Sequence, residues 1–361
     1  MKPIVLVAAL LINFFAFGQN NTLSWYKIFK GTIDKYPVTL HVHKASHSYV
    51  GYYYYDSKQN PIYFLGDDTT VKGKIQLIGY ADPEESEYFT FSFSAGNMAG
   101  DWKKTLESKP LAFSALETSM QTNFTYVFTS GSTKLRPKWK ESPEATFSAS
   151  SVWPTGNTFT DNFLKGEIRH AFSQKNSGEE IGVLLLRMKR GFINGYVSDN
   201  KDVKDADLKE ESMGYNLDED DKMLIAFQST KILTLAFTNY AYTGGAHGNY
   251  GTSYTSVDLT SNKVLTLDNV ITDAGKRQLR KLLEKNFRLQ QNLKPTDSLS
   301  DGGLFENKIE PNKNFYITAK GIGFCYNPYE IGPYAMGEID IFIPFTDLKN
   351  YLKDSFKKLM E

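Results

Sequence analysis

Val38-Thr39-Leu40-His41-Val42-His43 alternates apolar and polar side chains, and Phe89-Thr90-Phe91-Ser92-Phe93-Ser94 does the same. A period of two places one set on each face of a strand, the pattern of an antiparallel sheet. Working outward, the region from Trp25 to about Leu135 is a chain of short strands. They are parted by turn residues such as Ser108-Lys109-Pro110, which predicts an antiparallel all-β meander, small barrel or sandwich. Twenty-two tyrosines and twenty-five phenylalanines among 361 residues also favour sheet over helix bundle.

The second half mixes both periods. Met223–Phe227, Ile232–Phe237, Tyr254–Leu259, Phe315–Thr318, Ile322–Tyr326 and Gly337–Ile343 read as strands, and so does Ile181–Met188. Asp273–Gln291 places Leu279, Leu282, Leu283 and Phe287 on one helical stripe, and Thr346–Met360 does so with Leu348, Leu352, Phe356 and Leu359. The expected class is α+β: an N-terminal antiparallel β domain over 19–135, and a C-terminal antiparallel sheet with two packed helices over 161–361. Residues 136–160 carry three prolines among several serines and read as a linker.

Residues 1–18 read as a secretory signal, with Lys2 ahead of an apolar stretch and Ala16-Phe17-Gly18 as the cleavage site. The expected product is secreted or periplasmic, with no membrane span after signal removal. Forty-one basic against forty-one acidic residues give no excess positive charge for a nucleic-acid partner. The lone Cys325 sits in an apolar run and reads as a buried small hydrophobe.

Five stretches bear on chemistry. Thr243-Gly244-Gly245-Ala246-His247-Gly248 is a glycine-rich turn whose amides suit an anion and whose His247 suits a base, or else a structural turn. Asn327-Pro328-Tyr329-Glu330-Ile331-Gly332-Pro333-Tyr334 is a rigid aromatic loop, suited to contact or to pinning a crossover. His41, His43 and His47 have the only metal-like spacing; a polar strand face is the competing reading. Tyr52–Tyr55 suits stacking on sugar rings, or else divides into a core half and a wet sheet half. Asp199–Asp221 fails the EF-hand pattern and reads as a solvated loop.

Tyr49–Tyr55 with Gly100-Asp101-Trp102 resembles the strands of calycin-type barrels. The run from Tyr240 to Gly248, then Tyr254–Leu259 and Val264–Val270, and finally Phe324–Ala335 continuing to Pro344, resembles the extracytoplasmic RsiV/PdaC-like domain. That domain occurs in lysozyme-sensing anti-sigma factors and beside polysaccharide deacetylase domains. The resemblance covers about Asp161 to Glu361 and implies a fold and an envelope address. It carries no reaction across, because the metal-binding Asp and His motifs of a deacetylase are missing from the sequence. The expected function is a non-enzymatic envelope binding module for a lysozyme-type protein or a cell-wall glycan, with no cofactor. Tyr242, Gly244, Gly245, His247, Tyr329, Glu330 and Tyr334 are its expected contact residues. The alternative is an envelope-polymer hydrolase with His247 as base and Glu330 as partner.

Overall fold

The computed structural model describes residues 24–59, 61–80, 86–119, 122–173, 178–210 and 212–361. The expected signal, 1–18, lies outside the described residues. The first eight strands are β1 (Ser24–Ile33), β2 (Tyr36–Ala45), β3 (Ser48–Tyr55), β4 (Ile62–Asp68), β5 (Lys74–Tyr80), β6 (Ser86–Ser94), β7 (Asn97–Lys103) and β8 (Leu111–Thr118). Each pairs antiparallel with the next, and β8 returns to β1 to close a barrel. Closure leaves no edge strand to cover. It needs Gly31, where a β-carbon would collide with the Ser114 carbonyl oxygen across the β1–β8 seam. Val38, Leu40, Val42, Phe89 and Phe91 fill the interior without exposed surface, so the barrel is a packed core. The tyrosine run divides as its alternation predicts: Tyr53 and Tyr55 belong to the interior cluster, while Tyr52 and Tyr54 face outward.

Two further strands, β9 (Phe124–Lys134) and β10 (Glu144–Pro154), pair antiparallel with each other. The helices α1 (Phe159–Phe172), α2 (Ile181–Asp199) and α3 (Asp205–Glu210) follow, then β11 (Leu217–Gln228), β12 (Ile232–Tyr242), β13 (Asn249–Asp258) and β14 (Lys263–Val264). They form a six-stranded sheet in the order β14-β13-β12-β11-β10-β9. Within it β10 and β11 run parallel, which requires the long helical crossover between them.

Three readings change here. The stretch 136–160, expected as a linker, contains a strand paired on both sides. Its serines look loop-like in isolation, but Ser150 is buried and accepts a hydrogen bond from the Tyr126 hydroxyl at 2.8 Å. Ile181–Met188 opens α2 instead of forming a strand, because Ile181, Leu184, Leu185 and Met188 pack on one side at helical spacing. Asp218–Asp221 is not loop but the start of β11, with neighbours on both edges.

The chain ends with α4 (Leu267–Val270), α5 (Asp273–Gln290), β15 (Phe315–Ile317), β16 (Gly321–Tyr326), β17 (Ile339–Pro344), α6 (Phe345–Leu348) and α7 (Asp354–Met360). The closing helix expected over Thr346–Met360 is thus two short helices. Between them the Tyr351 carbonyl accepts from the Thr272 N–H at 2.8 Å and the Lys353 N–H donates to the Val270 carbonyl at 2.9 Å, so that backbone is used by the strand-like 270–272 segment. Leu279, Leu283 and Phe287 of α5 pack on Ile339, Ile341 and Ile343 of the three-stranded sheet. The whole is α+β, with the barrel on one face of the six-stranded sheet and α1 and α2 on the other.

Side-chain amides join the two sheets. Asn314 Oδ1 accepts from the Tyr254 N–H at 2.9 Å and Asn327 Oδ1 from the Thr252 N–H at 2.8 Å, so the edge of β13 is satisfied without a backbone partner there. Gly323 lies under the Tyr316 ring, where a β-carbon would collide with it. Gly323→Ala is expected to destabilise the protein by about 2 kcal/mol through this overpacking. Urea denaturation checks it; an unchanged midpoint would show that the ring moves aside freely.

Candidate functional site

Strand alternation builds a polar, aromatic face on the barrel side of the six-stranded sheet. Asp218 pairs across with Tyr242, Asp220 with Tyr240, and Tyr240 with Tyr250, so these side chains share one face. Thr146 and Ser148 of β10 donate to Asp218 and Asp220 at 2.5 and 2.6 Å. Thr238 and Thr252 hydroxyls meet at 2.9 Å. On the opposite face of β11, burial and the neighbouring Asp221 push the Glu219 carboxyl up to about 7. The barrel borders this face through its β2–β3 turn, where Ser46, His47 and Ser48 line a cavity of about 560 Å³ together with Ser148 and Asp220.

The two loops quoted above meet at the far end. Gly244 and Gly245 take φ of 82° and 119°, conformations that glycine adopts without a β-carbon penalty. The Tyr242 hydroxyl donates to the Gly245 carbonyl at 2.9 Å. Gly248 makes room for the Tyr240 ring. The His247 ring stacks on Tyr334 with centroids 4.1 Å apart, and the Tyr334 hydroxyl donates to the Gly248 carbonyl at 2.8 Å. Tyr329, at 5.7 Å from Tyr334, is 54% exposed. His247 Nδ1 lies 2.8 Å from the Gly248 carbonyl; a carbonyl only accepts, so Nδ1 is the donor.

Six of the seven expected contact residues therefore gather around one loop pair. Glu330 does not join His247. Its Oε1 accepts from the Asn312 amide at 2.9 Å and its Oε2 from the Asn327 N–H at 3.0 Å, so it caps its own turn. No hydrogen bond links it to His247.

The histidine cluster does not assemble either. His41 and His43 are fully buried between barrel and sheet, where His43 Nε2 accepts from the Ile225 N–H at 3.2 Å. His47 sits at the barrel rim, its Nδ1 3.0 Å from Asp68. Among the described residues no group of three His, Cys, Asp or Glu side chains is placed to hold a metal ion.

One pair escaped the sequence reading. Glu338 and Asp340, two residues apart, lie beside Tyr254, Tyr316 and Cys325. Tyr63 reaches Asp340 from the barrel, and Tyr316 donates to Asp340 Oδ2 at 2.8 Å. Burial, reinforced by the nearby Glu338 charge, pushes the Asp340 carboxyl up to about 7. Asp340 Oδ1 and Glu338 Oε1 are buried without a partner. The signal was present in Glu338-Ile339-Asp340-Ile341: acids alternating with isoleucines on a strand whose other face is core. Burial also pushes the Cys325 thiol up, leaving it protonated and unreactive.

This combination defines an α+β protein in which a closed barrel borders an open, tyrosine-rich sheet face. Residues 259–346 match DUF3298, a family described as a protein of unknown function. The chain is similar to the peptidoglycan-N-acetylmuramic acid deacetylase PdaC of Bacillus subtilis (strain 168), with 24% identity over 160 residues. That match takes in 43% of this chain and 33% of the relative, so it spans about a third of the relative's length. A crystal structure of a DUF3298 family member from Bacteroides fragilis shares the fold, with a TM-score of 0.61 and 24% identity over 67% of this chain and 98% of that one. A DUF3298 family protein from Pseudomonas aeruginosa PAO1 aligns over 64% of this chain and 95% of its own, with 14% identity and a TM-score of 0.44. Among the described residues no helix is long and apolar enough to cross a membrane.

Proposed function

We propose that this is an exported, non-enzymatic envelope module that binds cell-wall glycan on the open face of its six-stranded sheet. One observation carries the reading: Tyr240, Tyr242 and Tyr250 stand beside Asp218 and Asp220 on that face. Tyrosine rings offer flat apolar area for sugar C–H faces, and the carboxylates accept from sugar hydroxyls. The stacked His247–Tyr334 pair extends the surface at one end. A similarity to PdaC, whose name states action on peptidoglycan, fits the same class of ligand. The RsiV-like resemblance adds a second reading, a basic lysozyme-type protein held by the acidic pair Asp218 and Asp220. The hydrolase alternative gains no support from Glu330, whose carboxylate accepts from Asn312 and the Asn327 N–H.

The test is retention of the chain from Gln19 onward on purified peptidoglycan, with calorimetric titration of lysozyme in parallel. The double variant Tyr240→Ala, Tyr242→Ala is expected to lose glycan retention tenfold or more, about 1.4 kcal/mol or above. Retention equal to the unaltered protein would remove the sheet face as the site. Binding of lysozyme but not of glycan would replace the first reading by the second, and binding of neither would discard both.

A further inference from the structure

On the far side of Tyr52 from the sheet-face site lies a cleft of about 550 Å³, formed by barrel strands, the β11–β12 turn and the β15–β16 turn. Its volume falls in the range of small-molecule sites and far exceeds that of a bare inorganic anion. Lys30 of the barrel and Lys320 of the β15–β16 turn stand on its walls, and no carboxylate of a described residue lines it. Neither lysine has an ion-pair partner among the described residues. Gln59 adds a side-chain amide to its lining.

Tyr52 is 2% exposed and closes the wall between this cleft and a neighbouring cavity of about 260 Å³. Behind it the ring stacks on His41 at 4.5 Å and 11°. The His41 Nδ1 in turn meets the Tyr26 hydroxyl at 2.7 Å, and that hydroxyl lies 3.3 Å from Gln228 Oε1. This packing holds the Tyr52 ring in place. Tyr54 lies beside Tyr52, rings stacked at 6.4 Å and 23°, and offers an aromatic surface to the cleft.

We infer that this cleft binds a carboxylate-bearing sugar, its ring against Tyr54 and its carboxylate between Lys30 and Lys320. The positive walls select an acid, and the Tyr54 ring offers the flat apolar surface a sugar ring needs. The site stands on its own observations and does not depend on the sheet face, so the two can fail separately.

The experiment is calorimetric titration of the full chain with N-acetylmuramic acid, with the neutral N-acetylglucosamine, and with inorganic phosphate. N-acetylmuramic acid is expected to bind at millimolar affinity or better, and N-acetylglucosamine at least tenfold more weakly. Lys30→Ala and Lys320→Ala, both on exposed positions, are each expected to weaken the acid about fivefold while leaving the neutral sugar unaffected, since each removes one charge contact. Tyr240→Ala with Tyr242→Ala should leave this binding unchanged. No binding by 20 mM, about the weakest level a specific site would show, would overturn the inference. So would equal affinity for both sugars, phosphate binding as tightly as the acidic sugar, or lysine variants that bind like the unaltered protein.

Discussion

Replacing Asp340 by asparagine is expected to stabilise the protein at pH 8 and to leave it unchanged below about pH 4. Asp340 is held up to about 7 by burial and by Glu338. A carboxyl raised in the folded state binds more protons there than in the unfolded chain. Its favourable contribution is therefore fully present below the unfolded value near 3.8 and is lost as pH rises through about 7. Above that, the folded protein bears the cost of an ionised buried carboxylate, on the order of 4 kcal/mol for a shift of this size. Asparagine mimics the neutral acid at every pH and still accepts the hydrogen bond from Tyr316, which now goes to Asp340 Oδ2. Urea midpoints for Asp340→Asn and the unaltered chain should converge on acidification and diverge above pH 7. Parallel curves would mean that Asp340 ionises freely in the fold.

The buried histidines act with the opposite sign. His41 and His43 are both lowered to about 3, chiefly by burial; for His41 the nearby His43 and Lys30 charges add to it. The unfolded chain takes up their protons below about 6.5 while the folded chain does not. Their contribution is fully present above pH 6.5 and declines as pH falls towards 3, by roughly 1.4 kcal/mol per pH unit for each histidine. The structural reason is local: protonating His43 removes the acceptor for the Ile225 N–H in the seam between barrel and sheet. His43→Gln is expected to lose stability at pH 8 yet to show a flatter dependence between pH 6 and 4. Because Asp340 and Glu219 titrate over the same range with the other sign, the informative quantity is the difference between variant and unaltered protein at each pH. A difference that stays constant would show that His43 is not the titrating group.

The two pH effects meet at the same junction. Tyr63 of the barrel reaches Asp340, while His43 ties β2 to β11. Side chains of Tyr52, Tyr63, Leu224, Ala236 and Tyr254 line a cavity of about 260 Å³ between them. The sheet face proposed to bind glycan and the cleft inferred to bind an acidic sugar lie on either side of this junction, so conditions that loosen it are expected to weaken both.

The alternation of Val38–His43 and Phe89–Ser94 was enough to place antiparallel strands, since a period of two is a local property that burial on one face enforces. The stripe Leu279, Leu283 and Phe287 likewise marked α5. The two loops around His247 and Tyr334 stood out because glycine and proline restrict backbone choice residue by residue. Other features depended on partners far along the chain. Ser148 and Ser150 read as linker until Asp220 and Tyr126 satisfied their hydroxyls. Asp218–Asp221 read as solvated until β10 and β12 took up their backbone groups. Ile181–Met188 is apolar enough for either period, and only the sheet beneath α2 selects the helix. Glu338 and Asp340 drew no attention in the sequence, and the tyrosines that lie near them come from β4, β13 and β15. What sequence alone determines here is which backbone each segment prefers and which residues have two faces. Which face is wet, which acid is buried and which loops touch are set by contacts between distant segments, because desolvation depends on everything packed around a group and not on its neighbours in the chain.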